Sequence, residues 1–332
     1  MRLSIVSTLY RSAPYLVEFY ERSKAAAQTY AGDDFEIILV NDGSPDDSLT
    51  VALQLAAKDD RVVVVDLSRN FGHHKAMMTG LAYSSGDYVF LIDSDLEEEP
   101  EWLNLFGEEI DRTKCDVVSA VQLKRRGGIV EKLTGALFYR AFRLMTGVNQ
   151  PDNIMTARLM CRAYVDSLVA YRERELNIGG IWSIVGFDQR TMPLVKHSNS
   201  PTTYSFFSKL SHLINAVVSF SSAPLVMTFY CGSAISAGAI SYIIYLFVIR
   251  TFFGGVPDGY TSLIASIWLF SGLIIFFMGV QGIYLSKVFI EVKRRPYTTV
   301  RRVYASKGEL HESQSGGSEC ILWDNNARRS QR

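Results

Sequence analysis

Tyr88-Val89-Phe90-Leu91-Ile92-Asp93-Ser94-Asp95 decides the fold of this chain. A short apolar run closes at Ile92, and two carboxylates follow at i and i+2. Such a run, bounded by polar residues, reads as a strand. The pattern recurs upstream. Leu3–Thr8, Phe35–Val40 and Val62–Asp66 are also short and β-rich. Between them Ala13–Tyr30, Ser48–Ala57 and Lys75–Ser84 carry helical periodicity. Strands alternating with helices at this spacing predict an α/β domain with a mostly parallel central sheet, covered on both faces.

In such sheets ligands bind beyond the carboxyl ends of the strands. The polar clusters fall there: Asp42, then Ser68-Arg69-Asn70, then Asp93 and Asp95. After the second strand, Asn41-Asp42-Gly43-Ser44-Pro45-Asp46-Asp47 predicts a turn and a helix starting near Pro45. Ser44 is the expected cap, with proline and acids suited to the positive end. Beyond a strand, Asp93 and Asp95 can converge on one hard cation, Mg2+ or Mn2+, itself bound to diphosphate oxygens. The same residues also suit a solvated acidic turn, because Glu97, Glu98, Glu99 and Pro100 follow.

Other motifs are weaker. No glycine-rich phosphate loop of the P-loop or dinucleotide type occurs. Gly72, Gly80 and Gly86 read as turn and packing residues, and His73 and His74 lack partner histidines at ligand spacing. The four cysteines are scattered, which suits a reducing compartment. The start, Met1-Arg2-Leu3-Ser4-Ile5-Val6, is too short an apolar stretch for a signal peptide and reads as a first strand. The 332 residues carry zero formal net charge, and nothing global points to nucleic acid.

Two long runs, Leu225–Ile249 and Leu263–Leu285, contain no charged residue. Each exceeds the roughly 20 residues a helix needs to cross a bilayer core. Arg250 and a turn-like Gly254-Gly255-Val256-Pro257-Asp258-Gly259 separate them, and Lys287, Lys293, Arg294, Arg295, Arg301 and Arg302 follow. That asymmetry predicts a multi-pass membrane protein with the α/β head and both termini on the cytoplasmic side. Two further segments, 129–148 and 204–220, are amphipathic with basic residues, a pattern suited equally to core packing and to the headgroup plane. The expected organisation is a head over 1–200, a juxtamembrane helix over 201–223, spans within 224–286, a basic segment over 287–304 and a tail over 305–332. Gly232, Ser233, Ser236, Ala237, Gly238 and Ser241 permit close helix packing, which leaves room for a homo-oligomer.

Taken in order, these pieces resemble a family 2 glycosyltransferase. The nearer resemblance is to enzymes that move a sugar onto a polyprenyl phosphate, the dolichyl-phosphate mannose synthases and bacterial undecaprenyl-phosphate glycosyltransferases. Val40-Asn41-Asp42-Gly43-Ser44, Leu67-Ser68-Arg69-Asn70-Phe71-Gly72, Ala76–Gly80 and Asp93-Ser94-Asp95-Leu96-Glu97 carry it. Arg158-Leu159, Trp182, and Tyr204 before Lys209 are looser matches. The resemblance spans about residues 3–300. It implies a GT-A-like nucleotide-sugar-binding head, interfacial helices, a lipid bilayer partner and a bacterial inner-membrane location.

The same resemblance assigns roles. Asp42 would hold the uracil or ribose, with Arg69, Asn70, Lys75 and Trp182 toward the nucleotide and sugar. Asp93 and Asp95 would engage metal and diphosphate, Asp95 more directly. Arg158 would approach the phosphates, and Arg140, Tyr204 and Lys209 the acceptor phosphate and lipid. The chain departs from the family at Leu9–Ala13, where an Asn-Glu pair is usual, at Glu97 for glutamine, and at Thr202-Thr203 for a basic pair.

A phosphate acceptor already carries an anionic oxygen and needs no general base. The expected reaction is therefore inverting, metal-dependent transfer from a nucleotide sugar to a polyprenyl phosphate, which rests on orientation and charge stabilisation. A sugar-hydroxyl acceptor on a lipid-linked saccharide would instead need a base, with Glu97 or Asp188 as candidates. A catalytically degenerate assembly subunit is the non-enzymatic alternative.

Overall fold

The computed structural model describes residues 2–122, 153–171, 178–196, 221, 223–253 and 259–305. They form two compact units. The first holds the described residues up to 196 together with 295–305, and the second holds those from 221 to 294.

The first unit is built on an eight-stranded mixed sheet, ordered β7-β5-β6-β4-β1-β2-β3-β8. Its strands are β1 (Leu3–Leu9), β2 (Phe35–Asn41), β3 (Val62–Leu67), β4 (Tyr88–Leu91), β5 (Val117–Gln122), β6 (Ile154–Cys161), β7 (Gln189–Leu194) and β8 (Val300–Tyr304). Strands β1 to β4 are mutually parallel, as predicted. Their unbroken apolar runs follow from cover on both faces. Ile5, Ile37, Val64 and Phe90 meet α1 (Ala13–Ala31), α2 (Ser48–Lys58) and α4 (Trp102–Thr113) through Phe19, Leu55 and Phe106 in one core. The alternate residues face the other way. There α3 (His73–Tyr83) packs so closely that a Cβ on Gly80 would lie 2.5 Å from Val6 Cγ1 and 2.9 Å from Val40 Cγ2. Gly80 is thus a packing residue, as read from the sequence.

Register brings the polar ends together. Leu9 pairs with Asn41, Asn41 with Asp66 and Val6 with Leu91. β6 runs antiparallel to β4, so its first half lies beside the carboxyl end of β4, with Arg158 opposite Leu91. α5 (Arg162–Ala170) and α6 (Ile178–Ile184) complete the head. The basic stretch after the second apolar run ends in β8, which pairs antiparallel with β3 at the sheet edge.

One local expectation is corrected. α2 begins at Ser48, and Ser44 does not cap it. The Ser44 hydroxyl donates to Asp46, and it is the Asp46 carboxylate that accepts the Ser48 N–H at 3.2 Å. Asn41 closes the turn first, its Oδ1 accepting the Ser44 N–H at 3.2 Å, which delays the helix past Pro45.

The second unit contains α7 (Ala223–Phe253) and α8 (Tyr260–Val292). Within them Pro224–Tyr242 and Ser266–Val292 are long and apolar enough to span a membrane. The amphipathic segments 129–148 and 204–220, with Arg140, Tyr204 and Lys209, lie outside the described residues.

Candidate active site

The site forms where the loops after β1, β2, β3 and β4 converge. Asp42 N–H donates to Leu9 O at 3.1 Å, which fixes the turn after β2 against the end of β1. The Asp42 carboxylate, 2% exposed, then accepts the N–H groups of Phe71 and Gly72 at 2.7 and 3.0 Å. Burial raises its pKa against the opposing pull of those two amides. Gly43 sits at φ +60°, and any Cβ there would strike the backbone of Arg69 and Asn70. The two loops therefore touch through backbone, and only glycine permits it. Thr8, Tyr10, Asp42, Asn70 and His73 line a small cavity of about 100 Å3.

Past the acidic turn after β4, Glu98 lines a second, larger cavity of about 490 Å3, which Asp93 and Asp95 themselves do not line. Its lining includes His73, Met77, Glu98, Thr156, Trp182 and Lys196. Ser94 anchors the turn by donating to Thr8 O at 2.9 Å. Asp95 Oδ1 accepts the Glu97 N–H at 3.0 Å, and burial raises the Asp95 pKa, with the Asp93 charge adding to it. His73 lines both cavities. Its Nδ1 is 3.0 Å from Thr8 Oγ1 and its Nε2 is 3.2 Å from Asp93 Oδ1. The second approach is an ion-pair distance off the line of a hydrogen bond. Asp93 Oδ1 is thus buried without a hydrogen-bond partner among the described residues.

The family 2 glycosyl transferase model matches residues 4–169. This chain belongs to that family. A Mycobacterium tuberculosis (strain CDC 1551 / Oshkosh) protein described among the glycosyltransferases is 49% identical over 95% of this chain and 92% of its own length. The Bacillus subtilis (strain 168) glycosyltransferase YkcC is 32% identical over 92% of this chain and 94% of its own. The undecaprenyl-phosphate 4-deoxy-4-formamido-L-arabinose transferase of Pseudomonas paraeruginosa (strain DSM 24068 / PA7) is 30% identical over 91% and 90%. The chain is thus a sugar-transferring enzyme related to a polyprenyl-phosphate sugar transferase.

Members with a GT-A-like head often use a divalent cation. Among the described residues no group of three or more His, Cys, Asp or Glu is placed to hold one. Two carboxylates nonetheless fit the chemistry. The orphaned Asp93 oxygen and the Asp95 carboxyl, its charge disfavoured by burial and by Asp93, form an oxygen pair that a hard cation would neutralise. Water and diphosphate oxygens would have to complete the shell.

The structure sorts the remaining candidates of this glycosyltransferase. Asn70 and Trp182 line the two cavities. Arg69 lies beside them, stacked on Phe71 and donating to Asn70 O. Lys75 sits in the first turns of α3 and lines neither cavity. Arg158 is fully buried. Its Nε donates to Thr156 O and its Nη2 to Met155 O, at 3.2 and 3.0 Å, while the guanidinium lies over the Trp182 ring. Burial lowers its pKa to about 10, so it stays cationic at neutral pH. Asp188 does not reach the site. It precedes β7, where its carbonyl accepts the Asp116 N–H at 2.9 Å, at the opposite end of the sheet from the acidic turn. Placed there, Asp188 is not the base that hydroxyl transfer would need.

Three participants were not read from the sequence. His73 has no partner histidine at ligand spacing, and its partner is a carboxylate. Glu98, 1% exposed, accepts the N–H groups of Thr156 and Ala157 at 3.1 and 2.8 Å, so it fastens the start of β6 to the acidic turn. Burial, with the Asp93 charge, pushes it up to about 8. Lys196, just past β7, pairs with Glu97 at 3.0 Å. No local motif marks it, because the contact joins residues about a hundred positions apart.

Proposed function

We propose that this glycosyltransferase moves a sugar from a nucleoside diphosphate onto a membrane polyprenyl phosphate with inversion at the anomeric carbon. One observation supports this reading most: the Asp42 cradle and the Asp93/Asp95 pair flank one residue, His73, that lines both cavities. That spacing suits a nucleoside at Asp42 and Asn70, a diphosphate passing His73, and a sugar in the larger cavity against Trp182. A divalent cation held by Asp95 and Asp93 would screen the diphosphate charge.

The acceptor phosphate oxygen forms a bond to the anomeric carbon as the bond from that carbon to the nucleoside diphosphate breaks. No proton has to be removed. The two carboxylates that the sequence offers as bases accord with that demand, since Glu97 is engaged by Lys196 and Asp188 lies at the far end of the sheet. Two membrane-length helices and the undecaprenyl-phosphate relative support a lipid-borne acceptor. By the charge bias of the flanking residues, the head and both termini lie in the cytoplasm.

The test incubates the purified full chain in nanodiscs with undecaprenyl phosphate, Mg2+ or Mn2+ and a panel of nucleotide sugars. Formation of a lipid-phosphate monosaccharide from one donor is the expected result. Product only with a lipid-linked saccharide would replace this reading with hydroxyl transfer, and no product with either acceptor would sink both.

A further inference from the structure

We infer that Arg301, on the strand that follows the second apolar helix, is a positioning residue for the nucleotide end of the donor site. The inference rests on the nucleotide-sugar reading above and extends it to a part of the chain that no glycosyltransferase motif reaches.

Arg301 stands at the head of a chain of polar contacts. Its Nη2 donates to Ser68 O at 2.7 Å, and its Nη1 is 3.6 Å from Asp66 Oδ2. Asp66, 1% exposed, spends its other oxygen on Asn41, whose Nδ2 donates to Asp66 Oδ1 at 2.8 Å. Asn41 Oδ1 in turn accepts the Ser44 N–H at 3.2 Å and closes the turn that holds Asp42. Ser68 opens the other loop, which sends the Phe71 and Gly72 N–H groups back to Asp42. One guanidinium therefore braces both loops that line the small cavity.

The strand around Arg301 is built for this task. β8 pairs with β3 up to Asp66, and the register then shifts between Asp66 and Leu67. Past the shift Ser68 N–H donates to Thr299 O at 2.9 Å, and the Thr79 and Thr298 hydroxyls are 2.8 Å apart. Segment 298–301 thus holds the outgoing end of β3 and the middle of α3 at once. Without Arg301, the buried Asp66 carboxylate keeps Asn41 as its hydrogen-bond partner among the described residues. The Ser68 carbonyl loses its donor, and the loop is free to drift from Asp42. The effect falls on nucleotide binding, since Arg301 touches neither cavity.

The experiment measures UDP and GDP binding to the full-length protein in nanodiscs by calorimetry with Mn2+, for wild type, Arg301→Ala and Arg301→Lys. Arg301→Ala is expected to weaken binding of the preferred nucleotide about tenfold, the size of one charge-assisted hydrogen bond. Donor KM should rise in parallel while kcat stays within about twofold. Arg301→Lys, which keeps a cation and a donor, should recover most of the affinity. A lowered melting temperature with wild-type nucleotide affinity would assign Arg301 a purely structural role and overturn the inference alone. Absence of UDP and GDP binding by the wild-type chain would overturn the nucleotide-sugar reading along with it.

Discussion

His73 Nε2 stands 3.2 Å from Asp93 Oδ1, so the first residue of α3 is tied to the acidic turn after β4. Burial opposes a charge on the imidazole, but Asp93, Asp42 and Asp95 outweigh it and raise the His73 pKa. The sign follows from linkage. A raised folded pKa stabilises the protein below the unfolded value, and that gain is lost as pH rises through the folded value. Wild type should therefore exceed His73→Gln in stability below about pH 6.5, with the gap closing in alkali. The side chain is 46% exposed. Solvent screening then holds the gap to about 1 kcal/mol or less. Metal-free urea unfolding at about pH 5.5 and about pH 9 reads it, and equal gaps would show that the pair carries no charge effect.

Asp95→Asn should separate chemistry from folding. The side chains are nearly the same size, and Asp95 Oδ1 already accepts a backbone N–H that the asparagine oxygen can accept. Burial and the Asp93 charge disfavour its ionised form in the empty site, so removing the charge should leave the melting temperature unchanged or slightly higher. Turnover is another matter. Losing one electrostatic element of the leaving-group site should lower kcat by roughly a factor of 100 to 1,000. Radiolabelled transfer assays beside thermal melts decide it, and a variant with wild-type kcat would remove Asp95 from the chemistry.

Gly43→Ala tests the backbone contact between the two nucleotide loops. Alanine would be strained at φ +60°, and its methyl would meet Arg69 and Asn70 backbone that cannot swing aside. The expected cost is about 2 to 3 kcal/mol of stability, combining the left-handed strain with the clash. Nucleotide affinity should fall as well, because the loops part at Asp42. Gly72→Ala is the informative comparison. It is strained at φ +100° but has open space for a methyl, so it should carry the strain without the clash.

These cases show why some of the site was legible in the sequence and some was not. Asp42, Asn70, Asp93 and Asp95 all follow apolar strands, and parallel register puts such positions on one edge of a sheet. Periodicity therefore places them on that edge without reference to any contact. His73, Glu98 and Lys196 act through partners 20 to about 100 residues away, and no local spacing encodes that distance. Ser44 failed as a cap for a local reason, since Asn41 and Asp46 compete for the same turn. β8 was unreadable because an edge strand alone, after a basic run, resembles any polar linker until β3 is present to pair with it.

The Glu97–Lys196 pair explains one departure from the family pattern. Where the family resemblance leads to an expected glutamine, this chain has a carboxylate, and Lys196 meets it at 3.0 Å with both side chains at most a quarter exposed. Burial works against the Lys196 charge, yet Glu97, Glu98 and Asp95 raise its pKa overall, so the amine stays protonated beside the acidic turn. Glu97→Gln alone would leave that cation facing Asp95 without its nearest partner, and Lys196→Met alone would leave Glu97 adding repulsion to Asp93 and Asp95. The double variant restores charge balance. A double-mutant cycle on nucleotide affinity and urea stability should give a favourable coupling of about 1 kcal/mol or more. Strict additivity would mean that the carboxylate and the amine act independently, and Glu97 would then return as a candidate for the base that hydroxyl transfer requires.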